Sequence, residues 1–250
     1  MGTTIVALKT KQGVVVGADT RTSQGTMVSN RFAHKLSFVY QNSDNNGNGN
    51  GNGMSCILCR SGSAADTQYL ADEARWEMRT RVLRHHCDRP SLSQFAKWFR
   101  YAVQQNSYSA SLICAGYDPY DQSGHIYSIS PSASLIEEPV YATAGSGSTY
   151  IIGMMDHELS KYNSEHLMEE EEAIDFVASL IQRAIDRDGS SGGFARIVVM
   201  NSNGSYERVV GVSGTTTTSR TSDSETPVSG KELQGFAPAL RTHSPATSTN

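Results

Sequence analysis

No apolar run in this sequence approaches the roughly 18 residues that a membrane-crossing helix needs. The N-terminus reads Met1-Gly2-Thr3-Thr4-Ile5-Val6, with no charged segment leading into an apolar one, so no secretory signal peptide is expected. Val6 stands where a myristoylation signal wants Ser or Thr. Cysteine is scarce. Four in 250 residues make no disulfide framework, and a reducing, intracellular compartment is the expectation. A basic excess is missing as well: 21 Lys and Arg stand against 25 Asp and Glu, a formal charge of −4. That balance argues against nucleic-acid binding by bulk electrostatics.

Hydrophobic residues are also few, 38% against about 45–50% in an ordinary globular domain. The deficit is local. Residues 45–53 are all Asn and Gly, and 16 of the 38 residues after Val212 are Ser or Thr. What remains, about 200 residues, is long enough to bury a sizeable core in one domain, taken as 3–212. The Asn/Gly stretch within 42–53 reads as a flexible loop inserted between two strands. The segment 213–250 reads as a disordered tail in which Leu233, Phe236 and Leu240 are the residues able to dock on a partner.

The remaining chain alternates between pairs of strands and pairs of helices. Thr3 to Leu8 and Gly13 to Asp19 are short and β-branched, Leu36 to Tyr40 alternates as a half-buried strand, and Cys56 to Cys59 resumes the sheet. Ser63 to about Arg84 reads as a helix, with acidic residues early and Arg late. In the next helix Leu92, Phe95, Ala96, Phe99, Ala102 and Val103 form one apolar stripe, started by Pro90 and Ser91. Strands follow at 111–117, 125–129 and 140–144. A helix runs to about Lys161, and a last one carries Ala173, Phe176, Val177, Leu180 and Ala184 on one face to about Asp188-Gly189. Residues 194–200 and 206–210 form a closing hairpin around Asn203-Gly204. Strands in hairpin-like pairs disfavour a doubly wound parallel sheet; antiparallel sheets with helices outside fit, an α+β class.

Several motifs carry less than they promise. Cys56-x-x-Cys59 lacks a second ligand pair and sits in a strand, so it reads as two small core residues rather than a metal or redox site. His85-His86-Cys87-Asp88 lies at a helix end, where His complements the dipole. Glu169 to Glu172 is the dipole-matched start of the last helix. Gly189-x-Ser191-x-Gly193 matches a nucleophile elbow only formally, since that motif needs a strand before it and a helix after it. Gly145-Ser146-Gly147-Ser148 lacks the Lys of a phosphate-binding loop and reads as a tight strand-to-helix turn with capping hydroxyls.

The start of the chain is more specific. Thr3-Thr4-Ile5-Val6, then Gly17-Ala18-Asp19-Thr20-Arg21, then Lys35, resembles the catalytic β subunits of the proteasome core particle, which are N-terminal-nucleophile hydrolases. The resemblance continues through Arg60-Ser61-Gly62-Ser63-Ala64-Ala65-Asp66-Thr67, Gly145-Ser146-Gly147-Ser148 and Asp188-Gly189-Ser190-Ser191-Gly192-Gly193, and covers roughly Thr3 to Val210. Any one motif is weak; five in order at family-like spacing are strong. The departures are the Asn/Gly insertion and the Ser/Thr tail.

The resemblance implies a four-layer αββα sandwich of two antiparallel sheets flanked by helices. It implies a threonine endopeptidase subunit working with other proteasome α and β subunits in stacked heteroheptameric rings, in cytoplasm and nucleus. Unfolded polypeptides would be its substrates, with no metal or organic cofactor. Residues 1–2 read as a residual propeptide. A Thr hydroxyl is a poor nucleophile until a base takes its proton. Once Gly2-Thr3 is cleaved, Thr3 carries an α-amine whose ordinary pKa of about 7.7–8.0 suits a general base. The family pattern gives Lys35 the task of stabilising the developing alkoxide and Asp19 that of pairing the buried Lys35. It puts Ser146, Asp188 and Ser191 around the amine, and makes the Gly62 N–H the oxyanion donor. It sets Arg60 at the base of the S1 pocket, as in the caspase-like subunit that cleaves after acidic residues, with Thr22, Ala33, Ala64 and Thr67 lining the rest. Three rival readings stand beside it: a non-catalytic or unprocessed ring subunit, the bacterial two-component homo-oligomeric relative, and the serine hydrolase already set aside at Gly189-x-Ser191-x-Gly193.

Overall fold

The computed structural model describes residues 2–24, 27–41, 54–85, 90–106, 108–163, 166–211 and 216–220. The chain opens with β1 (Ile5–Lys9), β2 (Gly13–Asp19), β3 (Thr22–Gln24), β4 (Met27–Asn30), β5 (Leu36–Gln41) and β6 (Ser55–Gly62). Two helices follow, α1 (Ala64–His85) and α2 (Leu92–Asn106). Then come β7 (Ala110–Asp118), β8 (Ser123–Ile129), β9 (Leu135–Glu137) and β10 (Tyr141–Ala144). The last part holds α3 (Ser148–Leu159), α4 (Glu170–Arg187), β11 (Ala195–Asn201), β12 (Gly204–Val210) and β13 (Thr216–Arg220).

The strands make a six-stranded sheet of order β10-β1-β2-β11-β12-β13, a five-stranded sheet of order β5-β6-β7-β8-β9, and the small β3-β4 pair. Every ladder is antiparallel. The period-2 alternation of side chains sorts the central strands onto two faces. Ile5, Ala7, Val14, Val16 and Val198 from one sheet meet Ile57, Cys59, Ile113 and Ala115 from the other. The opposite faces go to the helices. Val6, Leu8, Val15 and Ile197 pack under α3 and α4. Cys56, Leu58, Leu112 and Cys114 pack under α1 and α2. The result is the four-layer α+β sandwich of antiparallel sheets between helices. Because both faces of β1, β2, β6 and β7 are covered, these strands read as near-continuous apolar runs instead of alternating ones.

The expected apolar stripe of α2 is the buried one, from Leu92 to Val103. Cys56 and Cys59, an odd number of residues apart on one strand, face opposite layers and cannot act as a joint ligand pair. Two expectations fail. Within the segment read as a disordered tail, 216–220 pairs with β12, so that reading does not hold for those five residues. The hydroxyls around Gly147 make no side-chain cap on α3; Ser148 Oγ bonds the Gly145 carbonyl at 2.7 Å and Ser146 Oγ is directed to Asp188. The insertion 42–53, the stretch 86–89 with His86 and Cys87, and 221–250 with Leu233, Phe236 and Leu240 lie outside the described residues.

Helix α4 places a carboxylate at its C-terminal end: Asp188 follows its last residue, and the Asp188 N–H closes the helix on the Ala184 carbonyl at 2.7 Å. The inner face of α4 is held by fully buried Leu180, Val177 and Ile181 against the six-stranded sheet. Leu180→Ala should lower unfolding stability by about 2–5 kcal/mol, the range for emptying a well-packed leucine site. The exposed neighbour Asp175→Ala should stay within about 0.5 kcal/mol. Denaturant unfolding of the two variants checks this; equal effects would mean that the helix face is not packed as described.

Candidate functional site

Thr3 precedes β1, a central strand of its sheet, and both Thr3 and Thr4 are buried, at 5% and 0% exposure. The Thr4 N–H donates to Asp19 Oδ1 at 2.9 Å, and the Asp19 N–H returns a bond to the Thr4 carbonyl at 3.2 Å. Asp19 ends β2, and Lys35 immediately precedes β5 in the facing sheet. The Lys35 ammonium reaches across to Asp19 Oδ1 at 2.6 Å and donates to the Gly2 carbonyl at 3.0 Å. The second carboxylate oxygen of Asp19 accepts N–H groups from Gly192 at 3.0 Å and Arg21 at 3.3 Å. A buried ion pair is tolerable only when its remaining lone pairs are so satisfied. Burial pushes the Lys35 pKa below the ordinary lysine value; Asp19 pulls it back up, and Arg21 adds to the lowering.

On the other side of Thr3 lies a cluster of hydroxyls. The Thr3 N–H donates to Ser146 Oγ at 3.2 Å. Ser146 and Ser191 both donate to Asp188 Oδ2, at 2.7 and 2.6 Å. Burial opposes ionisation of Asp188, but these two hydroxyls and the N–H groups of Ser190 and Ser191 outweigh it and hold the carboxyl below its ordinary range. Thr3 Oγ1 donates to the Gly2 carbonyl at 2.7 Å, so the hydroxyl lies against the peptide group that precedes it. That peptide is tightly seated: a Cβ on Gly2 would stand 2.0 Å from the Ser190 Cβ, which admits only glycine without movement of the 188–192 segment.

Thr3, Asp19, Lys35, Ser146, Asp188 and Ser191 therefore come together from separate stretches of chain. Thr3, Lys35 and Gly62 share a cleft of about 430 Å³ with Arg60, Thr22, Ala33, Ala64 and Thr67. Arg60 donates through Nη2 to the His34 carbonyl, while its Nε is buried without a partner among the described residues. Burial lowers the Arg60 pKa, Arg75 lowers it further and Asp72 opposes them.

Asp72 and Arg75 also line the cleft and were not among the residues singled out from sequence. Arg75 bonds Asp72 Oδ1 at 2.5 Å and donates through Nε to the Phe38 carbonyl at 2.7 Å. The signal was present in the helix period: Ala64, Thr67, Gln68, Ala71, Asp72 and Arg75 fall at i, i+3, i+4, i+7, i+8 and i+11 and share one face of α1. Elsewhere, among the described residues, no group of three or more His, Cys, Asp or Glu side chains is placed to hold a metal ion.

With the geometry in place, comparison with known proteins is specific. The family profile described as "Proteasome subunit" matches residues 1–49 and 52–200. Proteasome subunit beta type-6 of Dictyostelium discoideum is 36% identical over 214 residues, 84% of this chain and 89% of the relative. The probable proteasome subunit beta type-1 of Schizosaccharomyces pombe is 40% identical over 206 residues, 82% of each chain. Proteasome subunit beta type-1 of Saccharomyces cerevisiae is 37% identical over 212 residues, 84% of this chain and 88% of the relative. A profile that spans most of the domain, and beta-type relatives aligned across more than four-fifths of the chain, show that this protein belongs to the proteasome subunit family, among its beta-type members.

Proposed function

We propose that this beta-type subunit is a threonine endopeptidase that cleaves unfolded polypeptides after acidic residues, within rings shared with other proteasome subunits. One observation carries the reading. A buried ammonium, that of Lys35, is fixed by Asp19 and donates to the carbonyl against which the Thr3 hydroxyl lies. Such a donor withdraws electrons from the carbonyl and stabilises negative charge developing on its oxygen. Thr3 Oγ would attack the Gly2 carbonyl carbon, the Gly2–Thr3 C–N bond would break with the proton passing to nitrogen, and water would hydrolyse the resulting ester. The products are a free Gly2 carboxylate and a free Thr3 α-amine. That amine then serves as the general base when the same hydroxyl attacks a substrate carbonyl. Ser146 lies within reach of the nitrogen and connects it to Asp188, which suits orientation of the amine. Gly62, in the same cleft, is the proposed source of the oxyanion N–H.

Charge in the cleft supports the acidic preference. Arg75 is matched by Asp72 and Lys35 by Asp19, which leaves Arg60, among the described residues, without a carboxylate bond in the pocket. A substrate Glu or Asp would supply that partner and a charge-assisted bond away from bulk water. The rival, a non-catalytic ring subunit, accounts for the Lys35–Asp19 pair as a tie between the sheets, but gives no reason for the Lys35 ammonium and the Thr3 hydroxyl to meet at the Gly2 carbonyl.

Thr3→Ala should abolish both peptide hydrolysis and removal of Gly2, because one hydroxyl serves both, while Thr3→Ser keeps part of each. Lys35→Arg should also lose nearly all activity, since a planar guanidinium does not replace a compact ammonium in this space. Wild-type turnover in either Thr3→Ala or Lys35→Arg would overturn the mechanism. The pocket has its own test. Losing one partner of a buried pair costs about 2–5 kcal/mol, roughly 30-fold to a few-thousand-fold. Arg60→Met should lower the Glu-to-Leu ratio of kcat/KM at P1 by that order in assembled particles whose other active subunits are blocked. An unchanged ratio would remove Arg60 as the determinant.

A further inference from the structure

The hydroxyl of Thr4 is fully buried next to the candidate nucleophile, and neither Gly2 removal nor peptide hydrolysis as proposed makes use of it. Its oxygen stands 2.8 Å from Ser191 Oγ. The direction of that bond follows from proton counting. Asp188 is ionised and only accepts, so Ser146 and Ser191 each spend their single hydroxyl proton on its Oδ2. Ser191 is left as an acceptor toward Thr4, and Thr4 is therefore the donor. By the same count Ser146 accepts from the Thr3 nitrogen. The hydroxyls form one directed chain that converges on Asp188 from both ends: Thr3 N–H to Ser146 to Asp188, and Thr4 O–H to Ser191 to Asp188.

The seat of this hydroxyl is built for it. A Cβ on Gly147 would stand 1.9 Å from Thr4 Oγ1 and 3.1 Å from Ser191 Oγ, so only glycine there leaves room for the pair. The Gly147 N–H also donates to the Thr3 carbonyl at 3.2 Å. Meanwhile the Thr4 N–H is bonded to Asp19 Oδ1, the oxygen that holds Lys35. Thr4 is thus tied by its main chain to the Lys35–Asp19 pair and by its side chain to the Asp188 cluster, one residue from the reacting hydroxyl.

We propose that Thr4 is a positioning residue: its bond anchors Ser191 against Asp188, and through Asp188 and Ser146 it sets the orientation of the Thr3 nitrogen. This rests on the reading of Thr3 as nucleophile. Without the Thr4 donor, the Ser191 oxygen loses the bond that anchors it, and the serine and the Asp188 carboxylate it donates to can shift together. A carboxylate that turns takes its Oδ2 out of line with Ser146, and Ser146 out of line with the nitrogen. The Thr4–Ser191–Asp188 arm is cooperative, since a hydroxyl that accepts a bond donates more strongly; across Asp188 the coupling is positional, through the oxygen that both arms share.

The test uses assembled particles and a peptide with Glu at P1. Thr4→Val keeps the shape and removes the donor; leaving a buried acceptor unpaired corresponds to about 5-fold to 100-fold. We expect kcat to fall by that factor with KM within about twofold, and Thr4→Ser to restore turnover close to wild type. Should Thr4→Val not assemble, Thr4→Ser and Thr4→Ala, which differ by one oxygen, make the same comparison. In a Ser191→Ala background the Thr4→Val substitution should add little, because the two act as one unit. Wild-type kcat in Thr4→Val, a Thr4→Ser variant as slow as the donor-free one, or full additivity with Ser191→Ala would each overturn the proposal. Thr3→Ala separates the two levels: if it remains active, the nucleophile reading itself fails; if it is dead while Thr4→Val is unaffected, only the role of Thr4 falls.

Discussion

The site depends on one buried ion pair. Lys35 and Asp19 meet at 2.6 Å with 7% and 0% of their residue surfaces exposed, each brought from a different sheet. Removing one partner of such a pair costs about 3–5 kcal/mol, since the other charge is stranded out of water. The pair therefore fixes where the two sheets sit relative to each other at this end of the sandwich. It also fixes the chain before β1, because Asp19 grips the Thr4 N–H and Lys35 grips the Gly2 carbonyl. The position of Thr3 between them is a consequence.

Around that pair the architecture does a simple thing. Each strand or helix that contributes is packed against an apolar layer and offers its polar atoms to the site where it ends. Asp19 closes β2, Gly62 closes β6, Ser146 follows β10, Asp188 follows α4, and Ser191 lies ahead of β11. The apolar layers hold these ends rigidly, and the carboxylates have their oxygens bonded before any ligand arrives. Preorganised polar groups of this kind are effective because they need not reorient as charge develops.

Much of this was legible from sequence because the signals were local. The stripe from Leu92 to Val103 and the apolar runs of β1 and β2 reflect direct burial, and the polar motifs at 17–21, 60–67, 145–148 and 188–193 mark element ends. What was missed had short or non-local causes. The strands β3 and β9 are three residues each, too short for a period to show, and β4 is exposed throughout. The Thr/Ser composition of 216–220 hid an edge strand whose partner is β12. The hydroxyls near Gly147 suggested a helix cap, yet Asp188, 42 residues away from Ser146, is the stronger acceptor. Asp72 and Arg75 look like an ordinary i, i+3 surface pair until α1 is laid along the cleft.

The central claim is that Thr3 becomes a chain terminus with a free amine. The direct measurement is the intact mass and N-terminal sequence of this subunit taken from assembled particles that hydrolyse peptides with Glu at P1. The account predicts a chain beginning at Thr3. A chain that retains Gly2 in active particles would contradict it, because an amide nitrogen at Thr3 has no lone pair available to serve as the base.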